Sequence, residues 1–439
     1  MNGKKAYTSL DAQPAVKWLP YDRAVLEQWL ASMVSQANTD PHRRPLTPVI
    51  REFQELIESD THIFMHATAM FEQVPNDAPY SHDPLGRPQI RDYKQMLQLM
   101  DAVLTTAPKW DNFVHSIGWV GFPLNVLLNW PMSTSSGKAF FLNSKVNSQL
   151  EKVLNAWAIY LCSEASASVL TTEEAGWFSP DALDAVNKVS NGGNTTFSFE
   201  ELFVCDPFLP HWGFKSWDDF STRQFRRGVR PVAAPENDSI IVNACESKPY
   251  RLATNVARRD TFWVKNQPYS ILDMLAHDQL AEYFVGGTVY QAFLSSLSYH
   301  RWHSPISGTI AKIHKERGTY YSKAVSQGFG SRHTSLSPSQ GYLAEVATRA
   351  FIFIQADNPA IGLMCVMPVG MAEVSTCDIT VMNGQHVSKG DELGMFHFGG
   401  STYCLIFRPE TVLEWSPEAC GKVSPLGNIP LNSQIARVM

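Results

Sequence analysis

The sequence has little cysteine, little charge and no long apolar run, and each shortage excludes a class of protein. Seven cysteines among 439 residues, without a C-x-x-C pair, are too few for a disulfide framework or a cysteine-based zinc site. Charged residues make up only 18% of the chain and the formal net charge is -6, so we expect no nucleic acid as a partner. The most apolar stretch, residues 117–132, is interrupted by two prolines and is shorter than the roughly 20 residues of a membrane helix, so we expect no stable membrane insertion.

The same features favour a soluble cytoplasmic protein with a buried core. Hydrophobic residues make up 44% of the chain, and its length allows two or three domains. An odd number of cysteines fits a reducing compartment, and the first residues are followed by no apolar segment of a secretory signal. His62 and His66 are spaced i, i+4, but without a third ligand they predict no metal site.

The first half of the chain has the periodicity of helices. Apolar residues at helical spacing predict helices from Thr47-Pro48 onward, near residues 91–106, near 145–161 and from Ser179-Pro180. The polar, turn-forming run at residues 190–196 is the best domain boundary. We therefore predict an N-terminal arm (residues 1–45), a helical domain (46–197) and a second domain (198–439).

The second half has the texture of strands. Short helices are predicted near residues 198–203 and 216–225, and a longer one near 271–284. Runs of β-branched and aromatic residues predict strands at 239–243, 309–313, 350–354, 361–366, 379–382 and 403–407. Residues 325–341, rich in Ser and Gly, predict a long loop. The fold class is therefore α+β: an all-helical N-terminal domain followed by a mainly antiparallel β domain.

The most informative stretch is residues 384–402, which reads G-Q-H-V-S-K-G-D-E-L-G-M-F-H-F-G-G-S-T. Its glycines predict positive φ angles in a turn-and-strand unit. The Gly-Gly-Ser-Thr at its end is what a self-cleaving, pyruvoyl-forming enzyme needs. Its serine hydroxyl attacks the preceding carbonyl, so that the amide becomes an ester. β-Elimination of this ester leaves dehydroalanine, and hydrolysis then gives a pyruvoyl group on the new N-terminus. A Gly-Ser pair alone equally fits a tight turn or β-bulge.

A second block, residues 299–308, places His300 and His303 among aromatic residues before a Pro-x-x-Gly turn. Activation of a serine needs a base, and an imidazole exchanges protons near neutral pH. In a straight strand the two histidines point to opposite faces, so they reach one site only if the backbone turns or bulges. The alternative is one packed and one solvated histidine.

Together these motifs resemble those of the phosphatidylserine decarboxylase family of pyruvoyl enzymes. The resemblance rests on H-R-W-H-S-P-I-S-G, on K-G-D-E-L-G-M-F-H-F-G-G-S-T, and on F-S-T-R-Q-F-R-R-G-V-R-P at residues 220–231, and it covers residues 198–439. A helical first half without an anchor is more similar to the soluble fungal branch, which includes L-tryptophan decarboxylases. The stretches A-C-E-S at 244–247 and P-V-G-M-A-E-V-S-T-C at 368–377 are similar to that branch as well.

The resemblance implies roles for particular residues. It implies cleavage between Gly400 and Ser401, with Ser401 becoming the pyruvoyl group, and it makes His303 the histidine of an acid–His–Ser processing triad. It places His300 near the substrate. The family's acid lies in P-x-D-G, whereas this sequence has A-C-E-S, so the candidate acid is Glu246, one methylene longer.

Substrate-binding residues are suggested by position next to the motifs. They are His300, Met371, Phe398 and Gly399. The resemblance further implies that the substrate amine forms a Schiff base with the pyruvoyl carbonyl, and that His303 or His300 protonates the α-carbon after carbon dioxide leaves. Neither pyridoxal phosphate nor a metal ion is expected.

The predicted function is that of a self-processing carboxy-lyase whose two chains stay together after cleavage. Its predicted substrate is a free aromatic L-amino acid, foremost L-tryptophan, which gives tryptamine and carbon dioxide. One alternative is a phosphatidylserine decarboxylase that makes phosphatidylethanolamine. Another is an uncleaved, non-catalytic binding or scaffold protein.

Overall fold

The structure of the chain is a computed structural model that describes residues 45–76, 90–110, 112, 122–192, 195–259, 269–322, 339–399, 401–422 and 427–439. The predicted N-terminal arm lies outside these residues except for residue 45. Gly400 also lies outside them, as does most of the predicted 325–341 loop. We call residues 45–192 the helical half and residues 195–439 the β half, each for its described part.

The described residues of the helical half form mainly α-helices. The helices are α1 (Pro48–Ser59), α2 (Thr61–Glu72), α3 (Tyr93–Val103), α4 (Pro123–Leu128), α5 (Ser135–Leu142), α6 (Ser144–Leu161) and α7 (Pro180–Asn191), with short 3₁₀ helices at Pro131–Ser133 and Glu164–Val169. All four helices predicted for this half are confirmed, and the i, i+4 pair His62 and His66 lies on the helix α2, as its spacing indicated; α4 and α5 were not predicted. Their ends follow local chemistry: the Asn143 side chain caps α6, and Ser179 caps α7 ahead of Pro180.

The β half contains thirteen strands among its described residues, all paired antiparallel. They are β1 (Ile240–Val242), β2 (Lys248–Ala253), β3 (Thr288–Phe293), β4 (Arg301–His303), β5 (Gly308–Glu316), β6 (Arg349–Ala356), β7 (Leu363–Val369), β8 (Cys377–Ile379), β9 (His386–Val387), β10 (Glu392–Phe396), β11 (Thr402–Phe407), β12 (Leu413–Trp415) and β13 (Gln434–Val438). They form a seven-stranded sheet of order β2-β3-β11-β7-β6-β5-β9 and two three-stranded sheets, β4-β10-β8 and β1-β13-β12. The predicted α+β class is thereby confirmed.

Short helices precede the first strand or lie between strands. They are α8 (Phe199–Leu202), α9 (Trp217–Ser221), α10 (Ile271–Met274) and α11 (Gln340–Val346), with 3₁₀ helices at Pro210–Gly213 and Gln279–Phe284. The prediction of one helix over residues 271–284 is wrong, because Ala276 and His277 have φ angles of 49° and 57° and break it in two. The predicted 325–341 loop is also wrong at its end, where α11 begins at Gln340.

Strand β11, which begins directly after Ser401, is an interior strand of the seven-stranded sheet. It pairs along its whole length with β3 on one side and β7 on the other, and all six of its residues are buried. The helical half packs against this β half, and one direct link is the Trp217 N–H, which donates to Ser166 Oγ at 2.8 Å. Within the described residues no helix has the length and apolar character to cross a bilayer.

Candidate active site

Ser401 lies immediately before β11 and is completely buried. Its backbone is fixed by two hydrogen bonds to Leu294: the Ser401 N–H donates to Leu294 O (3.1 Å), and the Leu294 N–H donates to Ser401 O (2.7 Å). Its hydroxyl donates to the carbonyl oxygen of Val374 at 3.1 Å. The serine is therefore held at both backbone and side chain before any chemistry occurs.

The residues that precede Ser401 have unusual backbone angles. Phe398 has φ 73° and Gly399 has φ 144°, and a left-handed φ at a bulky aromatic residue is uncommon. The turn is held from outside, because the Phe398 N–H donates to Ser221 Oγ at 3.1 Å. Strained backbone that neighbouring structure holds in place is typical of functional sites.

His303 lies at the end of β4 with both ring nitrogens engaged. Nδ1–H donates to the carbonyl oxygen of Gly390 at 2.8 Å, so Nε2 is the basic nitrogen, and it accepts from the Tyr299 hydroxyl at 3.0 Å. Burial lowers the pKa of His303 below its ordinary value, so the ring is neutral at physiological pH. The imidazole is thus prepared as a base, although its present partner is Tyr299 and not Ser401.

Glu246 is buried in an ion pair with Arg230. Its Oε1 also accepts from the Leu431 N–H at 2.8 Å, while the Arg230 guanidinium lies 4.4 Å from the centroid of the Phe225 ring. Burial raises the pKa of Glu246, and the charge of Arg230 opposes that shift. The backbone near Glu246 is bonded to His303, because the backbone N–H of His303 donates to Ala244 O at 2.8 Å. The side chains of Glu246 and His303, however, share no hydrogen bond.

His300 is buried between two carbonyl oxygens. Nδ1 lies 3.1 Å from Ser221 O and Nε2 lies 3.0 Å from Ser295 O. Burial, together with the nearby charge of Arg223, lowers the pKa of His300 to about 4. The neutral ring can donate to only one of its two carbonyl neighbours. His300 and His303 contact different groups, as expected for opposite faces of a strand.

His397, two residues before Gly399, contacts two carboxylates. Its Nδ1 lies 2.9 Å from Asp218 Oδ2, and its Nε2 lies 3.4 Å from Asp378 Oδ2. Burial opposes the charged ring, but the hydrogen bonds and charges of the two aspartates raise the pKa of His397 above its ordinary value. This histidine therefore anchors the segment before Ser401 to α9.

A cavity of about 330 Å³ lies between α6 and the β half. Apolar side chains from both halves form part of its wall: Leu154 and Trp157 from α6, and Phe398 from the turn before Ser401. Charged residues line it as well, namely Glu151, Lys315, Glu316, Arg317, Arg349 and Glu373. Its size is at the lower end of the roughly 300–1,000 Å³ that ligand pockets span.

Glu373 belongs to the same turn as Val374, the residue that accepts the Ser401 hydroxyl. Its carboxyl is buried, and Oε1 accepts from the backbone N–H groups of Leu124 (3.0 Å) and Asn125 (3.2 Å), both in α4 of the helical half. Burial raises the pKa of Glu373 to about 8 despite these hydrogen bonds. A carboxyl that is protonated at neutral pH thus lies in the wall of the cavity.

The residues predicted from sequence fall into separate groups. Phe398 lines the cavity, and Gly399 is next to it in the turn before Ser401. Met371 is buried and its sulfur accepts from Gln340 Nε2 at 3.5 Å; neither it nor His300 is among the residues that line the cavity. The predicted acid–His–Ser triad is not joined by hydrogen bonds between its side chains in this arrangement.

Several residues at the site were not predicted. They are Ser221, Tyr299, Arg230, Val374 and Glu373. For Glu373 the sequence did carry a signal, since a lone acid within the apolar run P-V-G-M-A-E-V predicts a buried carboxyl. In the part of the chain that the structure describes, no three His, Cys, Asp or Glu side chains are grouped to hold a metal ion.

Two family models match the chain. Both are described as phosphatidylserine decarboxylase; one matches residues 47–186, in the helical half, and the other matches residues 217–424, in the β half. The second match contains Ser401, His303, Glu246 and the cavity residues of the β half.

Three curated relatives illustrate the range of similarity. Decarboxylase iboD of Amanita muscaria is 44% identical over 72% of this chain and 91% of its own length. L-tryptophan decarboxylase of Psilocybe cubensis is 34% identical over 90% of this chain and 88% of its own. Phosphatidylserine decarboxylase proenzyme 3 of Schizosaccharomyces pombe is 30% identical over 48% of this chain but only 21% of its own length.

The Arg230–Glu246 pair generates a stability prediction. In a Ser401→Ala background, Arg230→Met leaves a buried carboxylate without its partner and should lower the free energy of unfolding by about 3–5 kcal/mol. The double variant Arg230→Met/Glu246→Leu removes both charges and should lose much less. Denaturant unfolding measures the free energy of unfolding of both variants. A double variant as unstable as the single one would contradict the assignment of Arg230 and Glu246 as a buried ion pair.

Proposed function

The chain belongs to the phosphatidylserine decarboxylase family, and on that premise we propose that it is a self-processing pyruvoyl enzyme that decarboxylates a free aromatic L-amino acid. The single observation that carries the proposal is the setting of Ser401. This serine is buried, bonded through its hydroxyl to Val374 O, and preceded by the positive-φ residues Phe398 and Gly399.

The residues around Ser401 fit a pyruvoyl group. Ser401 directly precedes β11, a strand that pairs with β3 and β7. A new N-terminus formed at residue 401 by cleavage would therefore stay bound to the sheet. The pyruvoyl group supplies a carbonyl for the substrate amine and a sink for the electrons released with carbon dioxide. Strand β11 and the Leu294 N–H, which donates to the Ser401 carbonyl oxygen at 2.7 Å, are the parts of this chain that would hold it.

We assign His303 as the base that takes the proton of the Ser401 hydroxyl during cleavage. Its Nδ1–H is fixed by Gly390 O, which leaves Nε2 as the basic nitrogen. The Tyr299 hydroxyl now donates to that nitrogen and would have to be displaced, or to relay the proton. In this assignment Glu246 positions the segment beside His303 through Arg230 and Leu431. His300 is assigned to the substrate side of the site.

His303→Asn should slow self-cleavage by roughly 100-fold or more, because general bases typically contribute that much. Since the pKa of His303 is lowered, cleavage by the native chain should stay constant at neutral pH. Because its pKa lies below the ordinary imidazole value of about 6.5, cleavage should slow only at a pH lower than that, where the ring becomes protonated. The measurement is the fraction of intact chain on denaturing gels over time.

The matched control is His386→Asn, because His386 is an exposed histidine whose ring contacts only the Asp357 carboxylate among the ion pairs of the described residues. A His303→Asn chain that matures at the native rate would refute the assignment.

The cavity supports a small substrate. About 330 Å³ suits a free amino acid better than a lipid with two acyl chains, and Leu154, Trp157 and Phe398 give it an apolar wall for an aromatic side chain. The similarity to a protein named L-tryptophan decarboxylase, over nine tenths of the chain, supports L-tryptophan as substrate and tryptamine as product.

A substrate panel tests this. We expect processed protein to release carbon dioxide from L-tryptophan faster than from L-tyrosine, L-phenylalanine or L-glutamate, and not from phosphatidylserine vesicles. D-tryptophan is the control for non-specific decarboxylation. Preference for phosphatidylserine would favour the lipid decarboxylase instead. A chain that stays uncleaved and inert would favour the scaffold protein.

A further inference from the structure

Glu373 is a buried acid with no role so far. The residue is 3% exposed and lines the cavity, and the carbonyl oxygen of the next residue, Val374, accepts a hydrogen bond from the Ser401 hydroxyl. Among the acidic residues that line the cavity, Glu373 is therefore the one in the same turn as Val374, which binds the reactive serine.

The two oxygens of Glu373 differ. Oε1 accepts two backbone N–H groups from α4, at 3.0 and 3.2 Å, so it has the role of the acceptor oxygen. Oε2 is buried and makes no hydrogen bond of ordinary geometry with the described residues, although the Tyr321 hydroxyl lies near the carboxyl group. The proton of the neutral carboxyl therefore belongs on Oε2, where no strong protein acceptor holds it.

The histidines at the site have no such proton to give. The N–H of His303 is donated to Gly390 O, and its other nitrogen accepts from Tyr299. His300 is neutral at physiological pH and lies between two carbonyl oxygens. His397 is held by Asp218 and Asp378 and does not line the cavity.

We propose that Glu373, rather than His300 or His303, is the acid that protonates the α-carbon of the substrate after carbon dioxide leaves. The inference rests on the proposed function and names a further residue for the same reaction.

The step balances in atoms and charge. The bond from the α-carbon to the carboxyl carbon breaks, carbon dioxide leaves, and the electron pair remains on the substrate. The Oε2–H bond of Glu373 then breaks and a C–H bond forms at the α-carbon. The carboxylate of Glu373 regains a proton from solvent, so each turnover consumes one proton, as conversion of an amino acid to a protonated amine and carbon dioxide requires.

The expected pH dependence has a definite sign. With a pKa of about 8, Glu373 is protonated at neutral pH and ionises above it, so turnover should fall as the pH rises through about 8. The groups that face it are the Tyr321 hydroxyl and the α4 backbone, and the other charged residues that line the cavity are Glu151, Lys315, Glu316, Arg317 and Arg349. Arg349 is committed to the carbonyl oxygens of Met274, Ala347 and Asp273.

The test is Glu373→Gln, which keeps the oxygen that accepts the two α4 N–H groups but has no acidic proton. We expect self-cleavage to two chains at the native rate, turnover reduced by roughly 100-fold or more, and loss of the fall near pH 8. Glu345→Gln is the matched control, because Glu345 is also buried and accepts a backbone N–H, from Ser270, but does not line the cavity.

A second readout does not depend on turnover. In the Ser401→Ala chain, infrared difference spectra against Ser401→Ala/Glu373→Gln should show a protonated carboxyl band at pH 7 that disappears above about pH 8. An ionised Glu373 at pH 7 would overturn the inference, as would a Glu373→Gln enzyme with native turnover and pH profile. Failure of the native chain to cleave at all would instead contradict the proposed function.

Discussion

The hydrogen bond from the Ser401 hydroxyl to the carbonyl oxygen of Val374, at 3.1 Å, joins the parts of the molecule on which function depends. On one side it fixes the serine at the start of β11, a strand buried between two partners. On the other side it ends in the turn that carries Glu373. Because a buried hydroxyl without a partner is costly, the turn and the strand constrain each other.

That constraint gives the helical half a structural role. The α4 backbone donates to Glu373, and α6 forms one wall of the cavity whose opposite wall includes Phe398. The helical half thus reaches the neighbourhood of Ser401 through two adjacent residues of the β half, Glu373, which binds α4, and Val374, which binds Ser401. A buried carboxyl that receives two N–H groups from another part of the chain also fixes how the two halves dock.

Local patterns predicted the elements that depend on local chemistry. Helical periodicity located α1, α3, α6 and α7, and the glycines of residues 384–402 predicted positive φ angles, which Gly384 and Gly390 adopt, at 80° and 91°. Long-range pairings were beyond reach, because nothing near Glu373 in sequence points to Leu124, 249 residues away. For the same reason no pattern near Glu246 predicts its ion pair with Arg230, 16 residues earlier in the chain.

The central claim is that Ser401, held in this way, becomes the reactive group of the enzyme. Intact mass and N-terminal analysis of the purified native chain test it most directly. The account predicts two chains, the smaller one comprising residues 401–439 and beginning with a pyruvoyl group that has no free amine. A single uncleaved chain of 439 residues, or a small chain that begins with an ordinary serine, would contradict it.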